Sequence, residues 1–268
     1  MALETRQQNV APLTMLEPRG PAAAALELSG RSLLIDKTVT TSDWINGLTD
    51  LAGLGTRQIY FYGADLLSRP DLFSILSAAR SHFMEVSIFT DVTAETPDIA
   101  EELARHGIAG LWLTLYGARP ETHDIVAGPG AFRRMFDLVH SLRQQQQSVR
   151  LNAALARWDL SALADLVDLA SSIECPIASD ALRFGRTAEA DALPRPSIWV
   201  MPDGTIRPCR ALGPDVGDLS LESIDAVWRR SQELQRLAGV RVTRGPGCEQ
   251  CLLRADCFHE PPMDRVRV

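Results

Sequence analysis

Ile59-Tyr60-Phe61-Tyr62, Val86-Ser87-Ile88-Phe89 and Leu111-Trp112-Leu113-Thr114-Leu115 are short, mostly apolar runs separated by stretches with helical periodicity. Runs of this length and composition read as buried strands. Working outward, Leu33 to Ile35 precedes them, Val149 to Ala154 follows, and a weaker run lies around Ala181 to Phe184. Strands that alternate with helices predict an α/β protein with a parallel sheet. Such sheets close into open or barrel-like arrangements, with binding sites at the carboxyl ends of the strands. Six runs are too few for a complete eight-stranded barrel.

The segments between the runs carry helix punctuation. Thr96-Pro97-Asp98 offers an N-cap, a proline at the first helical position and an acid at the positive helix end, and Gly107 stops that helix after His106. Ile99 and Leu103 then share one face. Ala131 to Arg143 predicts a stripe of Phe132, Phe136 and Val139, and Leu160 to Ala170 one of Leu163, Val167 and Ala170. Residues 1–24, rich in Pro, Ala and Gln, read as a flexible leader. Pro194 and Pro196 mark a linker in Ala188 to Pro196. The expected division is a leader over 1–24, a sheet domain over 25–190 and a cysteine-bearing domain over 195–268.

The 268 residues suffice to bury a core without disulfides, and 46% hydrophobic with 23% charged residues is globular composition. A net charge of -7 repels phosphate backbones and anionic lipid surfaces, so neither nucleic acid nor membrane is an expected partner. The run Ala22 to Ala25, bracketed by Arg19 and Glu27, is neither a signal segment nor a span. No later run reaches transmembrane length, which predicts a cytoplasmic protein whose five cysteines serve as ligands or thiols.

Four of the five follow residue 208. Asp203-Gly204 is a hairpin turn signal between Ser197 to Met201 and Thr205 to Pro208, which puts Cys209 at a hairpin end. After a helix expected around Leu221 to Leu237 comes Cys248-x2-Cys251-x5-Cys257, whose first pair has the knuckle spacing that brings two thiolates to one metal. Cys209, Cys248, Cys251 and Cys257 are therefore the candidate metal ligands, and four thiolates suit either zinc or a [4Fe–4S] cluster. Cys175 stands apart and reads as a core thiol. His259 reads as a residue beside the metal or at the surface rather than a ligand, and His82, His106 and His140 read as structural.

Several stretches resemble radical S-adenosylmethionine enzymes. Ile59 to Leu67 with Pro70-Asp71-Leu72 looks like their second strand and loop, and Ser87 to Asp91 like their third strand. Leu113-Thr114-Leu115-Tyr116-Gly117, continuing through His123-Asp124 and Gly128-x-Gly130-Ala131-Phe132, is similar to the fourth strand and its loop. Pro202-Asp203-Gly204 through Cys209, Gly217-Asp218-Leu219, Ile224 to Trp228 and the last three cysteines resemble the SPASM domain appended to many of these enzymes. The resemblance spans about Leu26 to His259. It implies a partial (βα)6 TIM-like barrel with a small C-terminal SPASM-like domain, and one auxiliary [4Fe–4S] cluster in place of zinc.

The departures are specific. Family members carry Cys-x3-Cys-x2-Cys after the first strand, for the cluster that reduces S-adenosylmethionine. Here no cysteine precedes Cys175, although Leu26 to Ser32 resembles the approach to that loop. The family's Gly-Gly-Glu-Pro loop, which grips the methionine amino group, is Gly63-Ala64-Asp65-Leu66. Gly63 and Asp65 are thus the candidate cofactor-contacting residues, in a loop whose alteration argues against S-adenosylmethionine binding. A full SPASM domain has seven cysteines for two clusters, and this chain has four after residue 208.

The expected function is that of a degenerate radical-S-adenosylmethionine-like iron–sulfur protein, a substrate-holding or electron-relaying accessory in peptide or cofactor maturation, with a protein or peptide partner. One alternative is an enzyme with non-radical chemistry at the barrel mouth, using Asp65, Asp91, His123 or Asp124, although His123-Asp124 reads first as a loop brace beside Gly128 and Gly130. The other is a structural zinc module for assembly.

Overall fold

The computed structural model describes residues 20–29, 39–92, 98–154, 160–179, 197–208 and 214–238. Its first strand, β1 (Ala23–Ser29), is followed by α1 (Thr41–Gly53), β2 (Gln58–Gly63), α2 (Leu72–Ser81), β3 (Glu85–Thr90) and α3 (Ile99–His106). Then come β4 (Gly110–Leu115), α4 (Pro120–Ala127), α5 (Ala131–Gln144), β5 (Val149–Ala153), α6 (Leu160–Ser172) and β6 (Ile177–Ser179). The chain continues through β7 (Trp199–Val200), β8 (Thr205–Arg207), β9 (Gly217–Asp218), α7 (Ile224–Arg230) and α8 (Gln232–Ala238). One nine-stranded sheet has the order β6-β5-β4-β3-β2-β1-β7-β8-β9. β1 to β6 are parallel and sequential, β7 joins β1 in parallel, and β8 and β9 run antiparallel. The α/β fold with a mostly parallel sheet is as the sequence predicts.

Alternation along each strand gives the sheet two different faces. Leu26, Ile59, Phe61, Ile88, Leu111, Leu113 and Leu151 point to the helices and share a core with Trp44, Leu48, Leu76, Leu103, Met135 and Leu166. The second face carries Ala23, Ala25 and Tyr60, with Tyr62, Phe89 and Trp199 packed on them. Leu219, Ile224, Val227 and Trp228 join the first core. Their approach depends on Gly47 of α1, where a Cβ would stand 3.0 Å from Leu219 and 3.2 Å from Ile224. Asp50 of α1 also accepts the Ile224 N–H at 2.8 Å, at the start of α7.

Several elements differ from the sequence expectation. The first strand is Ala23–Ser29, not Leu33 to Ile35, which lies outside the described residues, and it begins inside the expected leader. Alanine has little intrinsic strand preference. Here Ala25 pairs with Tyr60 on one side and Trp199 on the other, and its small side chain leaves the aromatic rings room. Ala181 to Phe184, Thr96-Pro97 and the 188–196 linker are also outside the described residues; the last strand of the parallel series is Ile177–Ser179. α3 starts at Ile99 because Asp98, at φ 62°, is left-handed, while Gly107 ends the helix as expected. In α5 the fully buried stripe is Met135, Leu138, Val139 and Leu142, with Phe132 and Phe136 half-buried at its edge. The helix expected over 221–237 is two helices broken near Ser231, with Leu221 exposed.

Five helices leave toward the next strand through a left-handed residue: Gly55, Phe83, Gly107, Gln146 and Glu174. In four of them the following N–H closes a six-residue loop, Thr56 to Leu51, Met84 to Ala79, Gln147 to Leu142 and Cys175 to Ala170, at 2.9–3.2 Å. These are Schellman closures, in which glycine is the residue without a steric penalty. Phe83 sits there at φ 57° and is 87% exposed, so its ring offsets little of the backbone cost. Phe83→Gly is therefore expected to raise the unfolding free energy by about 1 kcal/mol, read by thermal or urea unfolding; a loss of stability would show that the ring is held by a contact.

Candidate functional site

The carboxyl ends of β1 to β4 are joined by a hydrogen-bond network centred on Asp91, which is 2% exposed. Its Oδ1 accepts the Asp65 N–H at 2.6 Å and its Oδ2 accepts the Tyr116 hydroxyl at 3.1 Å, so one carboxylate ties the ends of β2, β3 and β4. Thr90 Oγ1 accepts the Leu66 N–H at 2.9 Å and donates to the Asp91 carbonyl. Ser29, at the end of β1, donates to the Ala64 carbonyl at 2.7 Å. Asp65 itself is left-handed, at φ 52°.

Gly63 ends β2 where β1 presses on it. A Cβ there would lie 2.4 Å from Ser29 Oγ and 2.7 Å from Leu66, so no side chain fits. Beneath the network Arg69 forms an ion pair with Asp71 at 2.5 Å and donates to the Leu28 carbonyl, while Asp71 accepts from Thr41. The Arg69 guanidinium, and then the Thr41 hydroxyl, hold the Asp71 carboxyl below its ordinary range against the opposing effect of partial burial.

His123 and Asp124 brace the loop beyond β4. His123 is fully buried on α4 and its Nδ1 accepts the Tyr116 N–H at 3.2 Å, which places it between Tyr116 and Phe132. Asp124 caps α5, accepting the Phe132 N–H at 2.8 Å and the Gly130 N–H at 2.7 Å. Those amides, that of Phe132 foremost, lower its carboxyl pKa. The structure thus brings Asp65, Asp91 and Tyr116 together and gives His123 and Asp124 the bracing role.

The second face of the sheet adds a row that the sequence stretches hide. Glu27 pairs with Tyr62, Tyr62 with Phe89, Phe89 with Trp112, and Trp112 with Arg150. Tyr62 and Phe89 stack at 4.5 Å, Phe89 and Trp112 at 5.3 Å, and the Arg150 guanidinium lies 5.3 Å over the Trp112 ring. Trp199 closes the other end, 5.0 Å from Tyr62. Tyr116, Trp112 and Arg150 escaped the sequence analysis as site residues; the available signal was aromatic residues at alternate positions of successive strands.

Cys209, Cys248, Cys251, Cys257 and His259 lie outside the described residues. Among the described residues no three His, Cys, Asp or Glu side chains form a metal-binding group. Cys175 is buried, its thiol 3.5 Å from the Val149 carbonyl, and burial pushes its pKa up to about 11, which makes it an inert core thiol. No helix among the described residues is long and apolar enough to cross a membrane.

Comparison with known proteins agrees with the strand-end motifs. No family model matches the chain. The AdoMet-dependent heme synthase of Methanosarcina barkeri is 29% identical over 136 residues, 50% of this chain and 39% of that protein. The PqqA peptide cyclase of Ruegeria pomeroyi is 28% identical over 167 residues, 60% of this chain and 44% of that protein. Its relatives are radical S-adenosylmethionine enzymes. The chain spans less than half the length of these two curated relatives. Among solved structures, Streptococcus suis SuiB bound to S-adenosylmethionine superposes with a TM-score of 0.62 at 14% identity, covering 89% of this chain and 70% of SuiB. Native anSMEcpe with bound AdoMet gives 0.62 at 10% identity, covering 88% of each chain. At these identities the likeness establishes the fold.

If Asp91 organises the strand ends, Asp91→Ala should lower the unfolding free energy by about 2–3 kcal/mol and Tyr116→Phe by about 1 kcal/mol. The double variant should lose less than the sum, as expected for partners in one network, whereas additive losses in urea unfolding would show that they act separately.

Proposed function

We propose that this chain is a radical-S-adenosylmethionine-like iron–sulfur protein that has given up radical generation and serves peptide or cofactor maturation as an accessory, holding a substrate or relaying electrons. The observation that carries the proposal is the distribution of cysteine. Four thiols, Cys209, Cys248, Cys251 and Cys257, have the composition and spacing of a cluster-binding set, while no cysteine lies between Met1 and Glu174, where the family's radical-generating cluster is held. Relatives that are a heme synthase and a peptide cyclase support a maturation role, and SuiB solved with its precursor peptide SuiA supports a peptide as the partner class.

The proposal takes β1 to β6 as the partial (βα)6 barrel expected over 25–190, with its first strand beginning at Ala23, and assigns the cluster to a SPASM-like region within 195–268. The sequential parallel order of the six strands and the β7–β8 hairpin, with Gly204 at φ 90° in its turn, support that division. Gly63 and Asp65 remain the positions that correspond to the family's cofactor loop. Against S-adenosylmethionine binding there stands the use of that loop's own polar groups: the Ala64 carbonyl by Ser29 and the Asp65 N–H by Asp91. A [4Fe–4S] cluster held by four thiolates supplies one-electron transfer at a potential set by its hydrogen bonds and exposure. Zinc accepts the same four thiolates, and metal analysis separates the two.

Anaerobic purification is expected to give about four iron and four sulfide per chain, with brown absorbance lost in the Cys248→Ala/Cys251→Ala variant. Cys175→Ser should keep the full metal content. Stoichiometric zinc without sulfide, or iron lost with Cys175, would overturn the ligand assignment.

A further inference from the structure

His123 is fully buried, and it meets the strand-end network through the backbone of Tyr116. The chain turns from β4 into α4 at Gly117, where a Cβ would stand 2.6 Å from Thr122 Cβ and 3.2 Å from the His123 N. The connection therefore lies directly on the first turn of the helix. That close approach sets the Tyr116 N–H against the His123 ring, whose Nδ1 accepts it at 3.2 Å. The ring packs between Tyr116 and Phe132, at centroid distances of 5.6 and 5.7 Å. From the same residue the Tyr116 hydroxyl donates to Asp91 Oδ2 at 3.1 Å.

A backbone N–H only donates, so Nδ1 carries its lone pair and the ring proton sits on Nε2. A second proton, at Nδ1, would set two donors against each other in a position closed to solvent. The closed arrangement and the charged ring thus exclude one another. Among the described residues, Asp124, the next residue on α4, attracts a charged ring, but its carboxylate also accepts the Gly130 and Phe132 amides and interacts with Arg134 of α5. Arg133 and Asp137 of α5 pair with each other at the surface, and Arg119 and Glu121 at the start of α4 are exposed, where solvent screens them. Asp91 lies beyond the Tyr116 ring.

We propose that His123 is a pH-operated latch on the carboxyl ends of the strands: the uncharged ring holds the Tyr116 N–H, and with it the contact of Tyr116 with Asp91, and a proton taken from solvent by Nδ1 releases both. The connection after β4 opens transiently, and the ring takes up its proton in the open state. The charged ring cannot form the bond again, so acid shifts the population toward the open connection. Unperturbed histidine changes charge between about pH 5 and 8, which sets the range to search. The latch acts on the strand ends whether or not the chain serves as an accessory.

The backbone amides of the full chain labelled with 15N-tyrosine test it. The sequence has three tyrosines; the signal lost in Tyr116→Phe is that of Tyr116, and Tyr60 and Tyr62 in β2 report on the sheet as a whole. Between about pH 7.5 and about pH 5.5 the Tyr116 N–H is expected to lose at least about tenfold in protection against hydrogen exchange, corrected for the intrinsic rate, while Tyr60 and Tyr62 keep theirs. The midpoint should match that of one of the five histidine rings, followed by 15N-histidine labelling, which decides the matter in the unaltered protein. In His123→Gln the carboxamide oxygen still accepts a hydrogen bond and does not titrate, so the protection should become independent of pH. Four results would each overturn the proposal: protection that stays constant over this range, that falls in step with Tyr60 and Tyr62, that falls equally in His123→Gln, or whose midpoint matches no histidine ring.

Discussion

Parallel strands paired in register set equivalent positions of successive strands side by side, and both faces of this molecule follow from that constraint. On the helix side the alignment makes a continuous apolar layer from Leu26 through Phe61, Ile88 and Leu111 to Val149. On the other side it makes the row Glu27, Tyr62, Phe89, Trp112 and Arg150. A slip of one residue in any strand would exchange the two faces and bury Arg150 or Glu27 among leucines, a cost that holds the register. β1 is the tightest element, buried along nearly its whole length between β2 and β7, and only side chains as small as Ala23 and Ala25 leave room there for Tyr60 and Trp199.

The same alignment brings the ends of β1 to β4 together. In this chain the groups at that end satisfy one another. Asp91 takes the Asp65 N–H and the Tyr116 hydroxyl, Thr90 takes the Leu66 N–H, and Ser29 takes the Ala64 carbonyl. A loop whose amide and carbonyl are already paired presents less to a cofactor's amino and carboxylate groups than an open one. The missing cysteines and the closed loop thus point the same way, although they belong to different parts of the sequence.

The strands built from bulky apolar residues were legible in the sequence, because Ile59 to Tyr62, Val86 to Phe89 and Leu111 to Leu115 match buried strands in composition and length. β1 was not, because its alanines carry no strand signal and its burial comes from neighbours that pair with it in the folded sheet. His123 and Asp124 were legible as braces from the glycines that follow them, and the structure shows the amides they hold. Tyr116 and Asp91 were harder to join, since 25 residues separate them and only strand register makes them partners.

The central claim, a retained cluster without radical generation, meets its most direct test in the reductive cleavage of S-adenosylmethionine. The reconstituted protein, incubated with dithionite and S-adenosylmethionine, is assayed for 5′-deoxyadenosine against a metal-free control. A cluster capped by Cys209, Cys248, Cys251 and Cys257 has no open iron to hold the cofactor, so no product above the control is expected. Turnover that disappears in Cys209→Ala would show that this cluster has an open iron and would contradict the account.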